Sequence, residues 1–362
     1  MKLLFLIVIG CGVCQAQDSG TLINHTFEDG VSGWHTINGA TVTTAVDQDR
    51  HSLVFEYNLD ADRIAFVGLE TKKGVAGLGG LRFKVKADYD TSLLVNLTEP
   101  KPGLGRNTYV TVRGGRWEQF DLKVSDFGPG DNPGDPLDLG PPLDLNRVQG
   151  FGISDAAYTY RKPGSNLART FGIEAPTGKH TLLMQDFQAL KGNGDLPQQM
   201  TSVAIDRFDR GMLQWILFGK ARWSLVDSSP LTAPALELTS TSEHPAQPVA
   251  VYRRMTSFDL EGTDGVEFDV AASQPSAVIA SIGVRTPDGI RNDIAAPLVP
   301  VTGSRTPVHI RLPYEKFGGG KGITVIPIAI VTLTIAVVTP ATGQNTFWIS
   351  DVRAFRSEAP AK

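Results

Sequence analysis

Apolar and polar residues alternate over short stretches along most of this chain, and turn residues separate the stretches. Leu81, Phe83 and Val85 fall on one side of a segment whose other side carries Arg82, Lys84 and Lys86. A period of two is that of a strand buried on one face and wet on the other. Leu53, Phe55 and Tyr57 likewise share one side of Ser52–Asn58, and Phe120, Leu122 and Val124 alternate with Asp121 and Lys123. The pattern predicts strands over Thr21–Phe27, Thr41–Val46, His51–Leu59, Arg63–Leu69, Leu81–Ala87, Ser92–Thr98, Thr108–Arg113, Glu118–Val124, Gly150–Ser154 and His180–Leu190. A second series runs over Ser202–Phe208, Ala221–Val226, Ala235–Ser240, Ala250–Met255, Gly265–Ala271, Ala277–Arg285, Val308–Leu312 and Phe347–Phe355. No long amphipathic helix interrupts either series, so the fold class is all-β. Gly128–Pro142 reads as a long punctuated loop and Tyr158–Pro176 as an irregular polar, aromatic insertion. Ile323–Thr339 carries no charge and approaches the length of a membrane span. Pro327 and the wealth of Ile, Val and Thr make it two buried strands with a tight connection instead.

The two series are copies of each other. Phe27-Glu28-Asp29-Gly30, ending at Trp34, returns as Phe208-Asp209-Arg210-Gly211, ending at Trp215. Leu81–Val85 is echoed by Val266–Val270, and Trp117–Leu122 with Asp126-Phe127-Gly128 by Pro307–Leu312 with Lys316-Phe317-Gly318. Gly150–Ile153 has a weaker echo in Pro327–Ile330, and Met184–Leu190 returns as Ile349–Phe355. The order is kept while the spacings drift. Two tandem β-sandwich domains follow, 18–191 and 201–358, joined by a linker over 192–200.

The chain of 362 residues suits two domains with cores of their own. Its 38 glycines and 23 prolines favour turns. A formal net charge of -4, with no basic tract, argues against nucleic acid and anionic membrane as partners. Lys2, the apolar stretch from Leu3 to Ile9 and the small residue Ala16 read as an export signal over residues 1–16. A competing cut lies at Val8-Ile9-Gly10-Cys11, a lipobox-like string that would leave Cys11 lipid-anchored. The mature protein is therefore secreted or periplasmic, or else anchored at the cell surface. No transmembrane span is expected.

Signals for catalysis are thin. The six histidines fall in separate stretches, and both cysteines, Cys11 and Cys14, lie in the export segment. That removes a spaced metal-ligand set and a thiol nucleophile. Signals for binding are better, because aromatic faces pack on the apolar side of sugar rings while polar groups satisfy hydroxyls. Tyr158 and Tyr160, flanked by Arg161 and Lys162, are surface candidates, and Trp117 is a further one. The repeated Trp34 and Trp215 read as core. A structural calcium ion is a third possibility: Glu28 with Asp186, and Asp209 with Asp351, occupy matching positions in the first and last strands. Asp131, Asn132 and Asp135 form a weaker candidate.

At Phe27–Trp34, Gly80–Val85, Trp117–Phe127 and Asp186–Leu190, and at their second copies, the chain resembles carbohydrate-binding modules of the galactose-binding jelly-roll type. Family 11 modules and the complex I intermediate-associated protein domain are the nearer relatives. The resemblance implies calcium between first and last strands, and ligands on the concave sheet face or in the rim loops. Pro307, where the first copy has Trp117, puts ligand binding by the second domain in doubt.

The expected function is non-catalytic binding of a polysaccharide or oligosaccharide, through candidates Tyr57, Arg82, Lys84, Trp117, Tyr158 and Tyr160. An alternative is a jelly-roll glycoside hydrolase or polysaccharide lyase using Glu56, Tyr57, Arg82 and Lys84 on one sheet face. A second alternative is a structural or protein-interaction module of an exported assembly.

Overall fold

The computed structural model describes residues 20–61, 64–99, 106–129, 144–158, 176–192, 204–219, 221–231, 234–242, 248–254, 260, 262–286, 289–318, 325–339 and 342–357. The export segment with Cys11, the Asp131–Asp135 loop, Tyr160 and nearly all of the linker lie outside the described residues.

The first copy supplies β1 (Thr21–His25), β2 (Trp34–Ile37), β3 (Thr41–Asp47), β4 (Arg50–Asn58), β5 (Phe66–Glu70) and β6 (Leu78–Ala87). It continues with β7 (Thr91–Thr98), β8 (Arg106–Val112), β9 (Glu118–Lys123), β10 (Gly128–Pro129), β11 (Gly150–Asp155) and β12 (Lys179–Lys191). Sheet A has the order β3-β4-β12-β6-β9, with β1 also on β12; sheet B has the order β10-β8-β7-β11-β5-β2. The second copy supplies β13 (Ala204–Asp206), β14 (Trp215–Phe218), β15 (Ala221–Val226), β16 (Ala235–Ser242), β17 (Pro248–Arg254) and β18 (Gly265–Ala272). Then come β19 (Ser276–Thr286), β20 (Gly289–Ala295), β21 (Val299–Val301), β22 (Val308–Pro313), β23 (Ile330–Val338) and β24 (Gly343–Phe355). Sheet C runs β15-β16-β24-β18-β22 with β13 on β24, and sheet D runs β14-β17-β23-β19-β20 with β21 on β19. Sheets A and C share one topology, strand for strand. The fold is all-β, two antiparallel sandwiches in tandem.

The duplication extends to backbone geometry that side chains rarely adopt. Phe27 and Phe208 both have positive φ, 64° and 57°, and so do Asp186 and Asp351, at 52° and 48°. In the opening turns Trp34 N–H donates to Val31 O at 2.9 Å and Trp215 N–H to Met212 O at 3.0 Å. Both tryptophans are buried, as their repetition led us to expect. At Asp186 and Asp351 the closing strand bulges against its neighbour, which re-aims the acidic side chain.

One expectation fails. The described part of Ile323–Thr339, residues 325–339, is not two strands: Pro327–Ala329 makes a single 3-10 turn, and Ile330–Val338 is one continuous strand in the middle of sheet D. Pro327 fits the first position of such a turn, where its missing N–H costs nothing. The strand equivalent to Gly150–Asp155 therefore begins at Ile330, the last residue of the motif that echoed it. No described helix is long and apolar enough to cross a membrane.

The sandwiches touch through β14, which packs on β7 and β8. Ile216, Phe218, Ala250 and Ala336 of the second sandwich belong to the same buried cluster as the first core. Gln214 donates to Thr108 Oγ1 at 2.6 Å, and Thr111 Oγ1 donates to Trp215 O at 2.7 Å. Arg210 grips the buried Asp126 carboxylate with two bonds, of 2.5 and 2.8 Å. Arg210→Ala would leave that carboxylate without its cation. We expect a loss of about 2 kcal/mol in denaturant unfolding, below the range for a fully buried pair because Arg210 is half-exposed.

Candidate functional site

The alternation of β6 turns Leu81, Phe83 and Val85 into the first core and leaves Arg82, Lys84 and Lys86 on the outer face of sheet A. Register with β9 sets Arg82 opposite Asp121 and Lys84 opposite Gln119. Arg82 pairs with Asp121. The bulge at Asp186 brings its carboxylate to the same face, where Arg50 reaches it at 2.7 Å and Lys84 at 3.1 Å.

Arg50 arrives there because β3 and β4 are joined by only two residues, Gln48 and Asp49. Both have positive φ, 50° and 61°, the geometry whose twist matches a hairpin. Asp47, just before that turn, accepts from Trp117 Nε1 at 2.8 Å and from Lys86 Nζ at 3.1 Å. The Lys86 bond first, and the Trp117 bond after it, hold the Asp47 carboxyl below its ordinary pKa. Lys86 also lies 5.9 Å from the Trp117 ring centre. Gln185 donates to Asp47 O at 3.2 Å and to Ser52 Oγ at 2.9 Å.

These side chains enclose a shallow cleft of about 320 Å³, lined by Gln48, Arg50, Lys84, Trp117, Gln119 and Gln185 among others. It offers one aromatic surface, three amides, and two cations, Arg50 and Lys84, that share the Asp186 carboxylate. Such a set satisfies hydroxyls with fixed donors and acceptors.

Of the residues expected to bind ligand, Arg82, Lys84 and Trp117 meet on this face. Tyr57 does not. It follows Leu53 and Phe55 into the core, and its hydroxyl donates to Asp155 Oδ2 at 2.6 Å. Tyr158 is also buried, with its hydroxyl on Asn58 O at 2.7 Å. The charged neighbours Arg161 and Lys162 suggested a surface position, but Ala156 and Ala157 carry Tyr158 into the core. The group of Glu56, Tyr57, Arg82 and Lys84 is divided in the same way: Tyr57 faces inward while Glu56 and Arg82 face solvent. They do not converge.

The metal expectation finds different partners. Asp186 is neutralised by Arg50 and Lys84, and Asp351 pairs with Arg353 at 3.3 Å. Glu28 and Asp209 are exposed on the opening turns. No three or more His, Cys, Asp or Glu side chains are grouped to hold a metal ion among the described residues. The two cations leave Asp186 little surplus charge for a divalent ion.

Sequence reasoning missed Gln48, Arg50, Asp47 and Gln185. It also missed a buried cluster at Asp155, which accepts from Tyr57 and Tyr89 hydroxyls at 2.6 Å each, Thr91 Oγ1 at 3.0 Å and Ala157 N–H at 2.8 Å. Burial raises the Asp155 pKa against the pull of those donors.

The matching face of the second sandwich is built differently. Glu267 and Asp269 stand where the first copy has Arg82 and Lys84, and Arg311 stands where it has Asp121. The Arg82–Asp121 pair is thus reversed in sign as Glu267–Arg311, at 3.5 Å. Leu231, Ala271 and Trp348 form a small buried cluster of their own, and Arg305 lies 5.2 Å from the Trp348 ring. Pro307 replaces Trp117. The features that make the first cleft are absent from the described residues of this face.

No protein-family model matches the chain, and no curated protein does. Among solved structures, the tandem family 22 carbohydrate-binding modules of Paenibacillus barcinonensis Xyn10C are similar at 14% identity, with 95% of this chain and 99% of that one covered and a TM-score of 0.30. The family 11 module of the cellulosomal cellulase Lic26A-Cel5E of Clostridium thermocellum is similar at 15% identity, covering 45% of this chain and 100% of that one, with a TM-score of 0.35. An exo-beta-agarase is similar at 11% identity over 44% of this chain and 23% of that one, with a TM-score of 0.31. The fold assignment rests on the strand pairings of the chain itself.

Proposed function

We propose that this is an exported protein that binds a polysaccharide or oligosaccharide without transforming it, and that the cleft on sheet A is where it binds. The observation that carries the reading is the Trp117 indole, held by Asp47 in an open cleft where Arg50 and Lys84 share the Asp186 carboxylate. A platform of this kind holds a ring by its apolar side and its hydroxyls by amides and ion pairs. The resemblance of Phe27–Trp34, Gly80–Val85 and Trp117–Phe127 to the motifs of family 11 modules and of the complex I intermediate-associated domain supports it. The open face, with Tyr57 turned away from Arg82 and Lys84, favours binding over hydrolysis or elimination.

The test is retention of the purified chain on a panel of insoluble polysaccharides, read together with soluble products. Retention on at least one polymer, with no new reducing ends and no unsaturated ends, is the expected result. Product release would overturn the non-catalytic reading. A parallel arm with chelator tests calcium at Glu28 with Asp186 and at Asp209 with Asp351: unchanged retention and unchanged melting temperature would retire both sites.

A further inference from the structure

The main strand orders of sheets A and C end on four strands, β3, β9, β15 and β22, and three of these are guarded. Charged side chains lie within β9 and β22, at Glu118, Asp121 and Lys123 and at Arg311. β15 contains Arg222, and Arg113 of the first sandwich lies 4.8 Å from its Trp223 ring. Such charges and covers are what keep sheet edges from pairing with another chain. β3 has neither. Its sequence, Thr-Val-Thr-Thr-Ala-Val-Asp, holds no charge before its last residue, no proline and no glycine. Among the described residues it pairs only with β4. Thr41, Thr43, Thr44, Ala45 and Val46 are exposed, Val46 at 61%.

We infer that β3 is a docking edge for the β3 of a second copy of this chain, paired antiparallel about Thr44. The strand is self-complementary in that register. Thr44 faces its own copy on the two-fold axis, Val42 faces Val46, and Thr43 faces Ala45. Val42, Thr44 and Val46 stand opposite Phe55, Leu53 and His51 of β4, on the side that carries the core. Pairing therefore sets each exposed Val46 against a Val42 of the other copy, a β-branched cross-strand contact. A one-residue slip would lose it. The contact is isologous and closes as a dimer.

The consequence rests on the reading of the sheet A cleft as a glycan site. Edge-to-edge pairing makes one continuous sheet with both outer faces on the same side. The two Trp117 clefts then face one polymer together. The second sandwich lacks a matching cleft among its described residues, so chain pairing is the route to bivalent binding.

The experiment is sedimentation equilibrium of the full chain and of T44K and T44E, alone and mixed. Thr44 is exposed, so either variant should fold, which melting curves check. The wild type is expected to show a monomer–dimer equilibrium. Each variant alone places like charges on the axis and should raise the dissociation midpoint at least about tenfold. Their equimolar mixture should restore the dimer. A wild type that stays monomeric at its highest soluble concentration, or a dimer indifferent to T44K, overturns the inference; the edge would then be open to a different strand, or the dimer would use another surface. Oligosaccharide titration separates this from the glycan reading. T44K should keep wild-type affinity for a short sugar, whereas W117A should lose it without a change in mass.

Discussion

Replacing Trp117 by alanine is expected to abolish retention on whichever polysaccharide the wild type holds. Among the described residues, Trp117 is the one aromatic side chain lining the cleft. A central aromatic anchor of a binding site typically contributes 2 kcal/mol or more, so affinity should fall by roughly thirtyfold or more. The fold should survive, because Trp117 lies on the outer face and its equivalent in the second copy is a proline. Trp117→Phe separates two contributions. It keeps a ring for stacking and removes the indole N–H that bonds Asp47 at 2.8 Å, so a loss of about three- to tenfold is expected. Isothermal titration with a soluble oligosaccharide would measure both. Wild-type affinity in Trp117→Ala would move the site off sheet A altogether. The alanine variant can be compared with Pro307→Trp: if a tryptophan alone made the site, the second sandwich would gain binding. We expect it to gain none, because Leu231 and Trp348 fill that face.

How much of this was readable from the chain depends on how far apart the interacting residues lie. The alternation Leu81-Arg82-Phe83-Lys84-Val85 specified a buried and a wet face, and the strand obeys it. Repetition alone identified two sandwiches, and repetition of Trp34 at Trp215 identified core. The error at Tyr57 was avoidable, since its grouping with Leu53 and Phe55 already placed it on the buried side of β4. Its outward-facing neighbours on that strand, Glu56 and Asn58, have the opposite parity. Tyr158 was misjudged from charges three and four residues ahead of it, when the two alanines before it were the better guide. The cleft itself was not readable. Arg50 meets Asp186 across 136 residues of sequence, and Trp117 meets Asp47 across 70. Those meetings need the pairing of β4 with β12 and the bulge at Asp186, and neither is a local property of sequence. Asp186 illustrates the difficulty well: its repetition at Asp351 marked a special backbone position, which it is. The repetition does not extend to the partners of the two acids, which are Arg50 and Lys84 for Asp186 and Arg353 for Asp351.

Asp155→Ala should be the most damaging single substitution in the first sandwich. The carboxylate is almost fully buried and accepts four hydrogen bonds, from Tyr57, Tyr89, Thr91 and the Ala157 amide. Alanine leaves those donors facing an apolar interior. Unsatisfied buried donors cost about 1–3 kcal/mol each before relaxation, so a net loss of about 3–5 kcal/mol is reasonable once some reach water. Asp155→Asn tests the charge separately. Burial raises the folded-state pKa of Asp155 above its unfolded value, so protonation stabilises the fold. This contribution is complete below the unfolded value of about 4 and is lost as pH rises through the folded value. The wild type should accordingly shed stability over the window just above pH 4, relative to Asp155→Asn, whose side chain does not titrate. Denaturant midpoints measured for both proteins from mildly acidic to neutral pH would show the two curves diverging. Parallel curves would mean that the four donors fully offset burial and that the carboxylate is ionised at no cost. Tyr57→Phe offers an internal check, because it removes one donor and leaves the carboxylate with three. It should raise the Asp155 pKa further and widen the window in which stability falls.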